Sequence, residues 1–357
     1  MLRPDILIVG FGPAGASAAA AAAAAGCDVL AVEKRRVIGA PVQCAEFVSA
    51  VLSVPAVSWD AVSTQSITRM LTMVETEAPE ERGDFRGRMI SRLRFDQALA
   101  GRALALGARC LTGVTITGIL PDGGVRLSNG LECRPRVLIG ADGPRSHVGA
   151  AIGSVNGEFV ATRQVTVPMT RPHDATDIFL RASYRGGYGW LFPTGRFAHL
   201  GIGVDHACRG RLKPLVRELH AELAAAGRIA SGECTHLTGG LIPVGGRLRA
   251  IGTLRQTSVL LAGDAAGLTN PVTGAGIEAA ARSGALAGTA AAQVIAGRED
   301  ALEDYEEELS TLFDAAYGRA LRRRRTLLAE SRGGGPGVAA LRRGWISSPD
   351  YWREAAS

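Results

Sequence analysis

Four uninterrupted apolar runs along the chain mark candidate strands. They lie at residues 6–9, 29–32, 137–139 and 259–262, and each is followed at once by glycine or an acidic residue. Runs of this length without alternation are typical of parallel strands buried on both faces. An alanine-rich run over 16–25 separates the first two and predicts a helix. The pattern therefore predicts an α/β fold that opens with a strand–helix–strand unit.

Three glycines follow the first strand with the spacing of a dinucleotide-binding turn. Gly10 permits the tight turn, Gly12 leaves room for a pyrophosphate, and Gly15 lets the next helix pack closely. Glu33 ends the second strand, 23 residues after Gly10, where a carboxylate can accept a hydrogen bond from a ribose hydroxyl. The set predicts a Rossmann-like dinucleotide site. The alternative is a glycine turn in an unrelated α/β protein.

The segment after the second strand carries three further candidates. Lys34 and Arg35 follow Glu33, and the Gly- and Pro-containing stretch 39–46 predicts a loop that holds Cys44. Loops at the carboxyl ends of parallel strands line the ligand crevice of doubly wound folds. We therefore expect Lys34 and Arg35 to bind the cofactor and Cys44 to lie beside it. The alternative for Cys44 is a small buried hydrophobic residue.

Two later strands also end in glycine and aspartate. Asp142 and Gly143 follow the third strand, where the carboxylate can accept from a ribose, reach a pyrophosphate through water, or only shape the turn. Asp264 follows the fourth strand and can accept from a sugar-type hydroxyl. The amides near Gly274 and Gly276 begin a helix of small residues and can stabilise negative charge on a bound cofactor.

The middle of the chain has a different pattern. Residues 154–245 alternate between apolar and polar positions, which predicts a second, mainly antiparallel substrate domain with a largely apolar pocket. The first domain is then discontinuous, over 1–153 and 246–300, and includes part of the substrate-side loops at 45–90. Aromatic residues concentrate in the middle segment: Phe179, Tyr184, Tyr188, Trp190, Phe192 and Phe197.

The remaining residues, 301–357, are predicted to form a C-terminal helical segment. Residues 300–330 have a long helical pattern that is acidic in its first half and basic between Arg319 and Arg325. That order suits the helix dipole. The basic end is interpreted as a solvated helix end, or alternatively as a contact with anionic lipid. The last twenty residues are expected to pack loosely.

Composition restricts the class of protein. The chain has 357 residues, 46% of them hydrophobic and 21% charged, as expected for a globular protein. Forty basic and 34 acidic residues give a net charge of +6. The basic residues are scattered along the chain, so they do not indicate nucleic-acid binding. Six cysteines without a C-x-x-C pair argue against a zinc site or a disulfide framework, so no metal is expected. Because the glycine motif starts within ten residues of the first, no leader is expected, and we predict a cytoplasmic protein.

The three strand-ended motifs, with an antiparallel insert before the last, resemble the p-hydroxybenzoate hydroxylase-like flavoprotein superfamily. The resemblance covers roughly residues 5–300 and implies that the dinucleotide is FAD. Residues 92–96 resemble an R-x-x-F-D element of the geranylgeranyl reductase family, in which the arginine contacts FAD, and this resemblance assigns Arg92 to cofactor binding.

Two further stretches resemble the geranylgeranyl reductase family of FAD-dependent oxidoreductases. Residues 41–46, Pro-Val-Gln-Cys-Ala-Glu, are similar to its active-site cysteine loop, with Ala45 in place of the usual glycine. Residues 188–193, followed by Gly201 and Gly203, match its isoprenoid-site signature Y-x-W-x-F-P-x(7–8)-G-x-G. The resemblance implies a catalytic Cys44 and a substrate site formed by four residues: Tyr188, Trp190, Phe192 and Pro193.

The activity that the resemblance implies is reduction of isolated carbon–carbon double bonds in a polyprenyl chain. Reduced flavin N5 would deliver hydride to one carbon, and an acid would protonate the other. No second glycine fingerprint is present, so NAD(P)H would bind transiently, or reduced ferredoxin would supply the electrons. An apolar, lipid-like substrate also implies peripheral contact with a membrane. A monomer or a weak dimer is expected.

Two other functions are compatible with the same fold. An FAD-dependent monooxygenase acting on an aromatic or other apolar substrate needs no Cys44, and fold alone does not distinguish it. A non-catalytic FAD-stabilised binding protein is the other. The intact cysteine loop and the aromatic segment favour the reductase.

Overall fold

The structure is a computed structural model and describes residues 1–52, 54, 57–232, 234–331 and 335–353. In these residues the strands are β1 Ile6–Val9, β2 Val29–Glu33, β3 Phe47–Ser49, β4 Ser63–Ile67, β5 Arg69–Val74, β6 Glu80–Arg82, β7 Gly87–Ile90, β8 Arg109–Thr112, β9 Ile116–Ile119, β10 Val125–Leu127, β11 Glu132–Cys133, β12 Val137–Gly140, β13 Phe159–Pro168, β14 Ala175–Leu180, β15 Gly189–Thr194, β16 Phe197–Asp205, β17 Thr235–Thr238, β18 Leu241–Pro243, β19 Ile251–Leu254 and β20 Thr257–Leu261.

The same residues form helices of very different lengths. They are α1 Pro13–Ala24, α2 Trp59–Val62, α3 Arg92–Ala105, α4 His147–Ala151, α5 Leu212–Ala225, α6 Ile277–Ile295, α7 Ala301–Glu330, α8 Val338–Arg343 and α9 Pro349–Trp352, with short 3-10 helices at His206–Arg211 and Gly263–Ala266.

The four apolar runs form the centre of a six-stranded sheet. Its order is β19-β20-β12-β1-β2-β8, and all neighbours are parallel except β19 and β20. Strands β1 and β12 are buried along their whole length, as expected for a parallel sheet covered on both faces. The predicted Rossmann-like α/β fold is confirmed.

Helices α1 and α6 cross at backbone contact distance. A Cβ atom added to Gly284 would lie 2.1 Å from the Ala14 carbonyl oxygen, and one added to Gly288 would lie 2.2 Å from that of Ala18. Contacts that advance by four residues in both helices mean that the helices run parallel. Their N-termini therefore point toward the same end of the sheet.

A second, larger sheet covers that end. Its order is β17-β13-β16-β15-β14-β5-β6, β18 pairs with β13, and every pair is antiparallel except β14 with β5. Helix α5 packs on one face, where Leu219 belongs to the same buried apolar cluster as Leu191 of β15. Strands β5 and β6, from residues 69–82, extend this sheet although they precede most of it in the chain. The assignment of 154–245 as a separate domain stays a prediction.

The C-terminal segment is packed against the rest of the protein, so the expectation that it packs loosely is wrong for residues 338–352. Leu341, Trp345 and Tyr351 are all less than 10% exposed. The basic end of α7 contributes to this packing, since Arg323 donates through Nη2 to the carbonyl oxygens of Asp350 at 2.6 Å and Tyr351 at 3.2 Å. Part of the predicted solvated basic face is therefore a contact within the protein.

Substitution of Gly288 should separate α1 from α6. We expect Gly288→Val to lower the free energy of unfolding by about 1–3 kcal/mol, the usual cost of overfilling a packed interior. Gly101→Ala is the matched control, because Gly101 is exposed in α3 and an added Cβ meets no atom within 4 Å; it should stabilise by up to about 1 kcal/mol. Urea unfolding of FAD-saturated protein measures both. Equal stability of Gly288→Val and the unsubstituted protein would contradict the close contact.

Candidate active site

The glycine turn after β1 has the geometry that a dinucleotide requires. Gly10 has a φ of +91°, and an added Cβ would lie 2.3 Å from the Ala141 carbonyl oxygen. A Cβ on Gly15 would lie 1.9 Å from the Gly10 carbonyl oxygen, so both positions exclude side chains. A Cβ on Gly12 would instead meet no protein atom within 4 Å and would enter the adjoining cavity. The turn therefore fits the pyrophosphate of FAD.

Glu33 fastens this turn to the end of β2. Its Oε2 accepts from the Phe11 amide at 2.9 Å, and its Oε1 accepts from the Arg35 amide at 2.9 Å. Arg35 in turn donates from its guanidinium to the Pro41 carbonyl oxygen at 2.8 Å and to Gln43 Oε1 at 3.0 Å, within the cysteine loop. Lys34 is exposed. The contacts of Arg35 thus connect the cofactor turn with the loop that carries Cys44.

One cavity of about 790 Å³ joins the candidate cofactor and substrate residues. It lies where the second sheet covers the parallel N-termini of α1 and α6. Ten predicted site residues line it: Gly12, Cys44, Arg92, Gly143, Tyr188, Trp190, Phe192, Asp264, Gly274 and Gly276. The others lie outside its lining: Gly10, Gly15, Glu33, Lys34, Arg35, Asp142 and Pro193.

The Asp142 carboxylate is engaged within its own loop. It accepts from Ser146 Oγ at 2.5 Å, from the His147 amide at 2.7 Å and from the Val148 amide at 3.3 Å. These are the first two residues of α4 and its N-cap Ser146, so the Asp142 carboxylate holds the start of that helix. Its neighbour Gly143 has a φ of +86° and lines the cavity. These contacts agree with the alternative in which the Asp142 carboxylate only shapes the turn.

Two charged side chains stand at the cofactor end of the cavity. Arg92 Nε donates to Asp96 Oδ1 at 2.9 Å and Nη2 donates to Oδ2 at 3.1 Å, which makes the pair bidentate. Burial lowers the pKa of Arg92, but attraction to Asp96 and to Cys44 outweighs it, so the pKa is raised. Asp264 accepts from Thr269 Oγ1 at 2.9 Å. Burial raises the pKa of Asp264, opposed by that hydrogen bond and by Arg92.

The loop before α6 presents backbone to the cavity. Gly274 has a φ of +69°, and its amide donates to the Asn270 carbonyl oxygen at 2.9 Å, so that amide is already engaged. Gly276 is the N-cap of α6. The start of this 19-residue helix carries the positive end of its dipole. The helix N-terminus, rather than the Gly274 amide, is therefore the feature that can stabilise a cofactor anion.

The end of the cysteine loop is connected to helix α3 and to the second sheet. The Glu46 amide donates to Cys44 Sγ at 3.2 Å, and Glu46 itself has a φ of +64°, unusual for a residue with a side chain. Its Oε1 accepts from the Arg92 amide at 2.7 Å, and its Oε2 lies 2.8 Å from His199 Nε2 of β16. Glu46, which sequence reasoning did not select, thus connects Cys44 to α3 and to the second sheet.

Six aromatic rings form a continuous wall of the cavity. Their successive centroid distances are 4.8 Å for Trp345 to Tyr188, 5.8 Å for Tyr188 to Trp190, 6.4 Å for Trp190 to Phe192, 5.9 Å for Phe192 to Phe47 and 5.4 Å for Phe47 to Phe85. Spacings in this range are favourable for aromatic pairs. The wall presents a mainly apolar surface to the cavity.

Strand alternation decides which predicted aromatics reach the wall. Trp190 and Phe192 face the cavity, whereas Pro193 lies on the opposite face of β15. Phe179 and Tyr184, two of the aromatic residues of the middle segment, belong to the buried cluster under α5 and do not line the cavity.

Three members of the wall were missed by sequence reasoning. Phe47, Phe85 and Trp345 come from three distant parts of the chain. Only Phe47 carried a local signal, since it directly follows the cysteine loop.

Tyr188 joins the wall to the cofactor side. Its hydroxyl donates to the Thr273 carbonyl oxygen at 2.6 Å, in the loop before α6. Burial raises the pKa of Tyr188, with a smaller contribution from Cys44. The phenol is therefore a neutral donor that fixes the second sheet against the α6 loop.

Comparison with known proteins defines the class. A model of an FAD binding domain matches residues 123–320, and a model of an NAD(P)-binding Rossmann-like domain matches residues 8–71. With the glycine turn and cavity, this makes the protein an FAD-dependent oxidoreductase. The chain belongs to the digeranylgeranylglycerophospholipid reductase family, which confirms the predicted resemblance and the FAD cofactor.

Two relatives carry this assignment. Digeranylgeranylglycerophospholipid reductase of Methanosarcina acetivorans is 33% identical over 327 residues, 85% of this chain and 78% of that protein. Digeranylgeranylglycerophospholipid reductase 2 of Methanopyrus kandleri is 33% identical over 344 residues, 89% and 85% of the two chains.

Solved structures agree on the fold. A geranylgeranyl bacteriochlorophyll reductase-like protein from Thermoplasma acidophilum is 24% identical and covers 96% of each chain, with a TM-score of 0.81. PqsL of Pseudomonas aeruginosa, described as a probable FAD-dependent monooxygenase, is 20% identical over 93% of this chain and 100% of its own, with a TM-score of 0.67. At these identities the likeness is one of fold alone. Among the described residues, no helix has the length and apolarity to cross a bilayer.

A side chain at Gly12 should occupy the pyrophosphate space. We expect Gly12→Val to abolish FAD binding, because its Cβ and methyl groups would enter the open cavity beside the turn. Gly118→Val is the matched control, since an added Cβ in strand β9 also meets no atom within 4 Å. Flavin absorbance per protein after saturation with FAD measures the effect. Equal flavin content in both variants would contradict the assignment of the turn.

Loss of the Glu33 carboxylate should weaken the cofactor site without affecting the chemistry. Glu33→Ala removes the acceptor of the Phe11 amide and should weaken FAD binding by about 1–3 kcal/mol, the cost of leaving a partner unpaired. Fluorescence titration of apoprotein with FAD measures the affinity. Full FAD occupancy with no turnover would contradict this role.

Proposed function

We propose that this protein is an FAD-dependent reductase of carbon–carbon double bonds in polyprenyl groups of the geranylgeranyl type. The observation that carries the proposal is a single cavity in which the Gly12 turn, the Cys44 loop and the aromatic wall meet. The names of the relatives support a phospholipid that bears such groups as the substrate.

The reaction divides between cofactor and protein. When bound and reduced, FAD supplies a hydride. The protein must hold an alkene that has no polar group to polarise, so positioning and exclusion of water supply much of the rate. We infer that Tyr188, Trp190 and Phe192 form the wall against which the isoprene unit lies, with Pro193 shaping the strand. Aromatic faces also stabilise developing positive charge on carbon.

Cys44 is proposed as the catalytic residue. As a thiol it would hold the proton that the second alkene carbon receives; as a thiolate it would stabilise a cationic intermediate. Its amide contact from Glu46 and its position between Arg92 and the aromatic wall support a role at the reacting carbons. The proposed cofactor-binding residues are those of the sequence analysis: Gly10, Gly12, Gly15, Glu33, Lys34, Arg35, Arg92, Asp142, Gly143, Asp264, Gly274 and Gly276.

We further propose how substrate and electrons arrive. The lipid would be taken up during peripheral contact with a membrane. Trp352 is exposed, and the Arg319 guanidinium lies 5.5 Å from the centre of its ring. A tryptophan and an arginine in this arrangement support contact with a membrane interface. NAD(P)H binding transiently, or reduced ferredoxin, would reduce the flavin. The protein is proposed to act as a monomer or a weak dimer.

Substitution of Cys44 tests the proposed chemistry. We expect Cys44→Ala and Cys44→Ser to retain FAD and its reduction, while alkene reduction slows by about 10²-fold or more, the usual effect of losing a general acid. Cys234→Ser, at an exposed position outside the cavity, is the control. The assay mixes photoreduced enzyme anaerobically with a phospholipid bearing geranylgeranyl chains and follows flavin reoxidation and a mass gain of two per bond.

The same assay distinguishes the proposed reductase from a monooxygenase. Full alkene reduction by Cys44→Ala would remove Cys44 from the mechanism. No mass gain under anaerobic conditions, with oxygen uptake coupled to a hydroxylated product in air, would replace the reductase by a monooxygenase.

A further inference from the structure

Three residues on neighbouring strands lie in one row across the second sheet. Gln164 of β13 is paired with Gly201 of β16, and Gly201 is paired with Trp190 of β15. Gln164 and Trp190 both line the cavity and are less than 10% exposed. The row therefore runs across the cavity face of the sheet, with the glycine at its centre.

The glycine lets the indole cross the middle strand. A Cβ added to Gly201 would lie 2.3 Å from Trp190 Cζ2 and 2.5 Å from Cε2, so the indole lies directly over this position. Across β16 its Nε1 donates to Gln164 Oε1 at 3.0 Å. The tryptophan and the first distal glycine of the Y-x-W-x-F-P-x(7–8)-G-x-G signature thus act together to produce this hydrogen bond.

The indole also orients the Gln164 amide. An indole N–H can only donate, so the amide oxygen must face it and the NH₂ group must face the other way. That NH₂ group donates through Nε2 to the Cys44 carbonyl oxygen at 3.1 Å. Trp190 is in this way connected to the backbone of Cys44 through a single buried side chain.

We propose that Gln164 is a positioning residue that fixes the Cys44 backbone, and that Trp190 acts on Cys44 through it. The inference rests on the proposed function, in which Cys44 must reach the substrate carbon. Cys44 lies in a loop without ladder hydrogen bonds of its own, so its position depends on contacts such as those from the Gln164 side chain and the Glu46 backbone amide. A displacement of about 1 Å at a reacting group can cost roughly 10²-fold in rate.

The test compares two glutamines that make equivalent hydrogen bonds. Gln164→Met keeps the length of the side chain and removes both bonds. Gln65→Met is the matched control, because Gln65 also donates to a carbonyl oxygen, that of His173, and accepts from a backbone amide, that of Gly195, but lies outside the cavity. Each FAD-loaded variant is treated with iodoacetamide, and the alkylation of Cys44 relative to the exposed Cys234 is measured by peptide mass spectrometry.

We expect Gln164→Met to raise this alkylation ratio by about 2- to 10-fold, the range for loss of one hydrogen bond that holds the loop. Its kcat should fall by about 10-fold or more with a smaller change in KM. FAD content should be unchanged, and Gln65→Met should alter neither quantity. An unchanged alkylation ratio in Gln164→Met, or an equal change in Gln65→Met, would overturn the positioning role.

Gln164→Glu provides a second variant of the same size. Its carboxylate still accepts from Trp190 but, when ionised, cannot donate to the Cys44 carbonyl oxygen. Gln164→Glu should therefore raise the alkylation ratio as Gln164→Met does. If Gln164→Met does not retain FAD, Gln164→Glu replaces it in the test. The ratio is measured at alkaline pH, where the carboxylate form is favoured, and a ratio equal to that of the unsubstituted protein under those conditions would overturn the proposal. The alkylation measurement needs no turnover, so it decides the positioning role even if the reductase assignment itself fails.

Discussion

The contact between α1 and α6 is the constraint on which the site depends. Gly284 and Gly288 let α6 approach the backbone carbonyl groups of Ala14 and Ala18. Because the two helices are parallel, their positive ends point toward the same end of the sheet. The glycine turn and the loop before α6 are carried there together, and the second sheet docks on the same end through the Tyr188 hydroxyl. A larger residue at either glycine would separate the two halves of the cofactor site.

The chemistry of the site depends on a loop that has no regular structure. Arg35 holds the start of the cysteine loop, Glu46 connects its end to α3 and β16, and Gln164 bonds the Cys44 carbonyl. These partners lie between 6 and 153 positions away in sequence. The loop is therefore specified by the surrounding tertiary structure, which also explains how Glu46 maintains a left-handed backbone conformation.

Arginine side chains of the C-terminal segment stabilise its packing by hydrogen bonds to backbone carbonyl groups. Arg323 binds carbonyl groups of Asp350 and Tyr351. Arg324 is 4% exposed and donates to the Gly186 carbonyl oxygen. Guanidinium groups suit this use because each offers several donors in a fixed plane. The segment held in this way contributes Trp345 to the aromatic wall and so completes the candidate substrate cavity.

The sequence by itself determined the parts whose cause is local. Apolar runs specified the parallel strands, and the glycine spacing specified the turn after β1. Only the tertiary structure decided which side chains meet. It placed Phe47, Phe85 and Trp345 in one wall, turned Phe179 toward α5, and linked Trp190 to Cys44 through Gln164. The physical reason is that strand periodicity and backbone turns act over a few residues, whereas strand register and helix packing join residues more than a hundred positions apart.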